Sequence, residues 1–386
     1  MFKYIIKLNF LLSIFAITSC TKTNSQPPSD TSKPGNQNEE TLTPSIPWDN
    51  TPTTFNVVLT FSGTPTEIRF ADLKYNKFGV FSMDWDDGAR SSLEAMTLFN
   101  RLEIPDGTGK MIPWRAGVAI IGKSAYNNIE LGNEIYSGAL QYNDMVELIS
   151  NGWDMMNHGL YSGFGGNNES ASAFDDVRDL DELLLSRIGY KVAATVVPGM
   201  EDGFVEASAE LGHLAATSQR NDVGGKFAAV PDAEWKPLTD ISTWDTGFKF
   251  LTRSFTDTWN ASELTEKATE LVATSNKTTH KLLRIGTHDS SPTEFNDFIT
   301  QLNEKMNGNF LVCSLRELME YEKIKTESKL TIHDGSITVQ VPAGLRWEDF
   351  TLIVDGAEIT SATCTEADEV TFSGNLVNIY KDRLSR

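Results

Sequence analysis

The chain has 386 residues, and its 33 lysines and arginines against 53 aspartates and glutamates give a formal net charge of −20 at pH 7. Nucleic-acid binding depends on clustered cationic side chains that contact phosphates, so this balance argues against a nucleic-acid partner. The three cysteines are too few for a small scaffold stapled by disulfides. The length allows one large domain and a smaller one.

Residues 1–19 are typical of a signal peptide. Two early lysines precede an apolar run at residues 10–17, which is too short to span a bilayer as a helix. Small residues then lead up to Cys20, as export signals require at their cleavage site. The segment that ends in Cys20 resembles the lipobox of bacterial lipoproteins. That resemblance implies cleavage before Cys20 and acylation of its thiol. The protein would then be lipid-anchored in the cell envelope, at the outer membrane on its periplasmic or surface face; ordinary secretion is the alternative.

Residues 20–50 follow as a tether. They are rich in Thr, Ser, Asn, Gln and Pro and contain few apolar side chains. Such a segment cannot bury enough surface to offset the entropy lost on ordering. We therefore expect a flexible connection between the anchor and the folded part.

The folded part is predicted to be of the α/β class. Residues 51–75 form a short β region with two strands, at 55–61 and 67–70. In residues 76–325, short apolar strands alternate with helical stretches, which predicts a parallel α/β sheet or barrel. The predicted strands lie at 79–83, 117–121, 153–156, 191–197, 214–217, 282–285 and 310–312. Predicted helices end at Gly152 and near Gly189, and two more occupy 262–275 and 293–306.

Residues 326–386 change to a period of two. A tight turn at Asp334-Gly335 separates two alternating runs, which is typical of a β-hairpin. We expect a small antiparallel β domain that packs against the larger one, with glycan binding as the other interpretation.

Three carboxylates follow a predicted buried strand. Asp84, Asp86 and Asp87 lie within four residues and precede a glycine. Carboxylates this close repel one another unless a cation or a proton intervenes, and catalytic groups of α/β barrels collect at strand ends. The alternative is an exposed acidic turn.

Two of the five histidines also stand at predicted strand ends. His158 follows the strand at 153–156, and His288 follows the strand at 282–285. A single histidine is more often structural, but this pair together with Asp86 and Asp87 favours a metal site.

These segments together resemble the polysaccharide deacetylase family, the NodB-homology domain. Residues 84–88 stand where the family has Thr-Phe-Asp-Asp-Gly, and residues 152–158 resemble the approach to its His-x-x-x-His motif. Residues 285–289 match its last motif, an apolar strand that ends in a histidine. The resemblance covers residues 78–321 and implies a distorted (β/α) barrel with fewer than eight strands.

The resemblance also implies roles for these side chains. Asp87 and His158 would bind a divalent metal, typically zinc. Asp86 would act as the general base on an attacking water, and His288 as the general acid for the leaving group. The implied substrate is an acetylated polysaccharide or oligosaccharide, with an amide or ester bond hydrolysed to give acetate.

One departure from the family concerns the metal ligands. Ser162 stands where the second histidine of His-x-x-x-His is expected, and a neutral hydroxyl is a far poorer zinc ligand. Asp84 is a possible substitute, because alternate residues of a strand point to the same face and Asp84 is two residues before Asp86.

A second departure concerns the arginine that orients the base carboxylate in the family. The matching stretch, residues 195–200, keeps a proline but has no arginine, and Arg284 and Arg115 are possible replacements. The two departures leave an alternative function open: a catalytically impaired, glycan-binding lipoprotein on the same fold.

Overall fold

The structure is a computed structural model that describes residues 48, 51–124, 128–133, 138–161, 172–230, 238–256, 261–288, 292–333 and 336–384. These residues belong to one of the two units into which the chain divides, Thr41–Arg386. The predicted signal peptide, Cys20, most of the tether and Ser162 lie outside the described residues. Among the helices that are described, none has the length and apolar character needed to cross a membrane.

The helices follow the predicted alternation with strands. They are α1 (Ser91–Phe99), α2 (Tyr142–Ser150), α3 (Ala173–Ile188), α4 (Phe204–Glu210), α5 (Ala261–Thr274), α6 (Pro292–Met306) and α7 (Leu315–Glu327). The strands are β1 (Thr53–Phe70), β2 (Gly79–Trp85), β3 (Glu103–Pro105), β4 (Met111–Pro113), β5 (Gly117–Ile120), β6 (Asp154–Asn157), β7 (Ala194–Val196), β8 (Ala215–Ser218), β9 (Ala229–Val230), β10 (Leu238–Asp240), β11 (Lys249–Thr252), β12 (Ser254–Phe255), β13 (Lys281–Thr287), β14 (Phe310–Val312), β15 (Lys329–His333), β16 (Ser336–Val341), β17 (Phe350–Thr363), β18 (Glu369–Ser373) and β19 (Leu376–Tyr380).

Parallel pairing joins β13, β2, β5, β6, β7, β8 and β11 in that order. The chain then changes partner within a few residues, because β11 pairs with β8 whereas β12 pairs with β13. This change closes the described strands into a ring with seven positions. The ring is irregular, since β6 and β7 share a single residue pair. The predicted α/β class, a distorted barrel with additional antiparallel β structure, is confirmed.

The local sequence explains these elements. Every residue of β2 is buried, as expected for a central strand of a parallel sheet that is covered on both faces. Helix α3 begins at Ser172, whose side chain accepts a hydrogen bond from the backbone N–H of Asp175. It ends at Gly189, which adopts the left-handed conformation with φ of 64° that glycine tolerates best. The predicted helix end near Gly189 is therefore confirmed.

The two predicted β regions form one sheet. Its strand order is β15, β16, β1, β17, β19 and β18, so the N-terminal strand lies between two C-terminal ones. The sequence suggested two strands around Gly63, but β1 is one strand, with register shifts against β17 at Thr60/Phe61 and Gly63/Glu67. Irregular pairing accommodates the glycine and the proline without ending the strand.

Buried charges join this sheet to the barrel. Lys74 Nζ lies 2.5 Å from Glu317 Oε1 on α7 and 2.7 Å from Asp349 Oδ2, next to β17. Arg346 donates to the backbone carbonyls of Trp153 and Ile149, each at 2.6 Å. Breaking one partner of such a buried pair leaves an uncompensated charge, so these contacts fix the sheet against the barrel.

Asp106 is a second connection between the two parts. It lies between β3 and β4, and its carboxylate accepts hydrogen bonds from Thr108 Oγ1 at 2.5 Å, Thr371 Oγ1 at 2.8 Å, Asn378 Nδ2 at 3.0 Å and Tyr380 Oη at 2.5 Å. Burial would raise the pKa of Asp106, but these hydrogen bonds outweigh it and lower that pKa to about 2.

We expect Asp106→Asn to lower the free energy of unfolding at pH 7 by about 2 kcal/mol, the linkage equivalent of a pKa lowered by nearly two units. Because the folded-state pKa is depressed, the contribution is present above the ordinary value near 4 and is lost as the pH falls towards 2. Denaturant unfolding between pH 7 and pH 3 would measure this. The variant Asp202→Asn, at an exposed aspartate, is the control. A difference between Asp106→Asn and the wild type that stays constant over this pH range would contradict the prediction.

Candidate functional site

A cleft of about 200 Å³ opens at the carboxyl ends of the barrel strands. It brings together the four side chains expected to carry chemistry, along with residues from the turns after β7, β8 and β11. The residues that line it are Asp86, Asp87, His158, Val197, Gly199, Met200, Gln219, Arg253 and His288.

Parallel strands place these side chains at one edge. Asp86 follows the end of β2, His158 follows β6 and His288 follows β13. The backbone N–H of Asp86 donates to the carbonyl of Thr287 at 2.8 Å, which aligns the ends of β2 and β13. Asp87 adopts a left-handed conformation with φ of 60°, a region that aspartate enters more readily than most residues.

Asp87 lies between the two histidines. Its Oδ1 is 3.3 Å from His158 Nε2, and its Oδ2 is 3.6 Å from His288 Nε2. Partial burial would raise the pKa of Asp87, but the hydrogen bond to His158 and nearby cationic side chains outweigh it and lower that pKa. The sequence placed these residues on separate strands, and the fold makes them neighbours.

His158 is oriented by a backbone carbonyl. Its ring is 4% exposed, and Nδ1 lies 2.8 Å from the carbonyl oxygen of Val196. A protonated Nδ1 that donates to this carbonyl leaves Nε2 as the nitrogen that faces Asp87 and the cleft. Burial would lower the pKa of His158, but the hydrogen bond to Asp87 and the neighbouring carboxylates raise it.

Asp86 is held by an arginine that the sequence analysis missed. Arg253 Nη1 lies 2.8 Å from Asp86 Oδ1, and Nη2 lies 2.5 Å from Oδ2, a bidentate pair that fixes the carboxylate plane. Arg253 occupies the single residue between β11 and β12, where the chain changes partner strands. Its backbone N–H donates to the backbone carbonyl of Ser218 at 2.9 Å.

The two arginines suggested by the sequence do not contact Asp86. Arg115 pairs with Glu317 at 3.3 Å, outside the cleft. Arg284 is fully buried behind the site and donates to Ser82 Oγ at 2.8 Å. Both suggestions were wrong. Arg253, which follows β11, is the arginine that contacts Asp86.

Asp84 has a different position from the one expected of a substitute ligand. It is fully buried and does not line the cleft. One carboxylate oxygen contacts the Arg253 guanidinium, and the other lies 2.5 Å from Arg284 Nη2. The pairing of both oxygens argues against Asp84 as a metal ligand and assigns it a structural task, which is to hold Arg253 in place.

Gly286 makes room for this arginine. A Cβ at this position on β13 would lie 2.3 Å from Arg253 Nη1, which is far inside van der Waals contact. The guanidinium is already held by two carboxylates, so it cannot move aside without breaking an ion pair.

We therefore expect Gly286→Ala to destabilise the protein by about 1–3 kcal/mol, the usual cost of overpacking a filled interior. A crystal structure of the variant should show Arg253 displaced from Asp86. Gly247→Ala, at an exposed glycine, provides the control in the same thermal-unfolding series. An unchanged Arg253–Asp86 distance in the variant would show that the space is not needed.

His288 forms the outer wall of the cleft. Its side chain is 47% exposed, and its ring packs edge-on against Phe255 at a centroid distance of 4.6 Å. Val197 and Met200 add an apolar wall, and Gln219 a neutral amide. The cleft therefore offers a fixed carboxylate, an exposed imidazole and apolar surface within one small volume.

Two side chains of the cleft are suitable ligands for a divalent metal. Asp87 Oδ1 and His158 Nε2 converge on the cleft, and the carbonyl behind His158 gives the outer-shell contact typical of a metal-binding imidazole. Within the described ranges, no cluster of three or more His, Cys, Asp or Glu side chains could hold an ion. The described residues thus supply a pair of suitable ligands, and the expected third position, Ser162, is outside them.

Comparison with known proteins gives structural matches only. No protein-family model matches the chain, and no curated protein matches it. A family 4 carbohydrate esterase from Streptomyces lividans, solved with acetate, is 13% identical, with coverage of 62% of this chain and 92% of its own, and a TM-score of 0.36.

Two further matches are of the same kind. A family 4 acetyl xylan esterase from Clostridium thermocellum, solved with a cobalt ion, is 12% identical, covering 62% of this chain and 89% of its own, with a TM-score of 0.35. A polysaccharide deacetylase from Bacillus cereus is 12% identical, covering 61% of this chain and 91% of its own, with a TM-score of 0.35. At these values the likeness assigns no activity, and the functional argument rests on the side chains of the cleft.

Proposed function

We propose that the protein is a metal-dependent deacetylase that hydrolyses acetyl amide or ester bonds of a glycan. The observation that supports it most is the convergence of Asp87 and His158 on one open cleft, beside a carboxylate that Arg253 holds in a fixed plane. The glycan as substrate follows from the resemblance of residues 84–88, 152–158 and 285–289 to the deacetylase motifs.

Asp87 and His158 are the residues that would hold the metal, with zinc as the proposed ion. A carboxylate oxygen and an imidazole nitrogen suit this ion. When bound, the metal would supply Lewis acidity, which makes a water more acidic and an acyl carbonyl more electrophilic.

Asp86 is proposed as the general base. Arg253 contacts both of its oxygens, yet each carboxylate oxygen has a further lone pair that can accept a proton from an attacking water. The arginine fixes the direction of that lone pair. The buried Asp84 opposite the same guanidinium prevents Arg253 from swinging into the cleft.

His288 is proposed as the general acid. Its exposure at the rim allows it to meet the leaving nitrogen or oxygen of a substrate that lies along the barrel mouth. Proton donation from an imidazole allows the group to leave as a neutral amine or alcohol instead of a strongly basic anion. Such general acid catalysis accelerates a reaction by about 10²- to 10⁴-fold.

Acetate release tests this proposal. The purified protein with zinc should release acetate from at least one of acetylated chito-oligosaccharides, acetylxylan and peptidoglycan. Asp86→Asn should lower kcat by about 100-fold or more, because the base is lost, while the metal content stays the same. Asp240→Asn, at an exposed carboxylate on β10, should leave both quantities unchanged.

The metal content separates this proposal from a non-catalytic, glycan-binding protein. Protein purified without chelator should contain stoichiometric metal, and Asp87→Ala or His158→Ala should remove it. A protein without metal that releases no acetate, but binds one of these glycans, would favour the binder and contradict the deacetylase.

We also propose that Cys20 carries a lipid anchor in the cell envelope, which would hold the glycan-facing cleft on a tether. In cells that express the whole chain, Cys20→Ser should move the protein from the membrane fraction to the soluble fraction and abolish its labelling by a fatty-acid analogue. Equal membrane association of the wild type and the variant would refute the anchor.

A further inference from the structure

A hydrogen-bond chain, buried except at one member, lies on the outer side of the barrel, behind the cleft. Its members are Asn157 on β6, Asp181 on α3, His213 before β8 and Thr195 on β7; we call these four side chains the outer chain. Asn157 and Thr195 are fully buried, His213 is 6% exposed, and the side chain of Asp181 is 24% exposed. None of the four lines the cleft.

The contacts of the outer chain are short and continuous. Asn157 Nδ2 donates to Asp181 Oδ1 at 2.8 Å, and Asp181 Oδ2 lies 2.7 Å from His213 Nε2. His213 Nδ1 lies 2.7 Å from Thr195 Oγ1. Asn157 and Thr195 are also the register pair that joins β6 to β7. The side chains and the sheet therefore form a closed loop of contacts.

The outer chain continues from Thr195 to Ser208 on α4. Ser208 Oγ lies 2.7 Å from Thr195 Oγ1 and 2.6 Å from the carbonyl oxygen of Phe204. A serine, a histidine and an aspartate in one chain also occur in nucleophilic sites, but Ser208 is fully buried outside the cleft. The arrangement therefore fixes positions and does not attack a substrate.

What the outer chain fixes is the placement of His158. Successive residues of a strand point to opposite faces. Asn157 and Thr195 face the helices, and the residues that follow them, His158 and Val196, lie on the side of the cleft. His158 Nδ1 is bound to the carbonyl of Val196 at 2.8 Å. Asn157 Oδ1 additionally accepts from the N–H of Gly159 at 2.8 Å. Both neighbours of His158 and its carbonyl acceptor are thus held from behind.

We infer that Asp181 and His213 are positioning residues that set the metal affinity of His158 through Asn157 and Thr195. The inference rests on the proposed function, because it assumes that His158 binds a metal. Partners beyond the ligands orient the ligating ring, and their loss typically weakens metal binding by about 10- to 100-fold. Asp181 carries the charge-assisted contact of the loop, so its loss should matter most.

Cobalt titration of the full chain tests the inference, since the absorption spectrum of bound Co²⁺ reports ligand geometry directly. We expect Asp181→Asn and His213→Ala to weaken Co²⁺ binding by about tenfold and to alter the spectrum. His213→Gln should recover part of the affinity, because its amide can still donate to Asp181. Asp179→Asn is the matched control on α3, since Asp179 pairs only with the exposed Arg178 among described contacts.

Thr195→Val tests the same loop without a change of volume and covers the case in which Asp181→Asn fails to fold. Wild-type affinity and spectrum in folded Asp181→Asn and Thr195→Val proteins would overturn the inference while leaving the proposed function intact. A wild-type protein that binds neither cobalt nor zinc would overturn both. Weakened binding confined to the loop variants, with Asp179→Asn unchanged, is the expected result.

Discussion

The ion pairs of Arg253 hold the candidate site together. Two carboxylates, Asp84 and Asp86, lie two residues apart and are almost completely buried, where their mutual repulsion would be strong. The guanidinium contacts both, and Arg284 adds a second positive charge behind Asp84. Taking such charges out of water costs several kcal/mol per ion, so the group is stable only as a complete set. The orientation of Asp86 therefore depends on the buried ion pairs of Arg253 and Asp84.

Barrel closure and site assembly are one structural event. The ring closes where the chain leaves β8 and joins β13, and Arg253 is the residue at that change. Gly286, on the strand that receives the new pairing, provides the space for the guanidinium. A barrel that closed with another register would move Arg253 away from Asp86. The change of partner strands between β11 and β12 therefore determines the position of an arginine that orients Asp86 in the cleft.

The sequence predicted the residues that follow strand ends and missed those that depend on tertiary pairing. Asp86, Asp87, His158 and His288 could be found because carboxyl ends of parallel strands share an edge. Arg253 could not, since nothing in residues 249–255 marks the position at which the chain changes partner strands. The union of β1 with strands almost 300 residues later is equally non-local. Helix α7 was missed because its buried face contains Arg316, Glu317 and Glu320, which hide the apolar period of 3.6.

The alternation of side chains along β6 and β7 explains how helices outside the barrel can act on the cleft. One face of these strands carries the imidazole of His158, which faces the cleft, and the other carries Asn157 and Thr195, which contact α3 and His213. A metal site with three strong side-chain ligands could tolerate a small displacement of any one of them, since the other two still hold the ion. In the proposed metal site, serine at position 162 would remove that redundancy, and metal affinity would depend more strongly on the geometry of His158. A rigid support behind His158 is the feature that such a site would need.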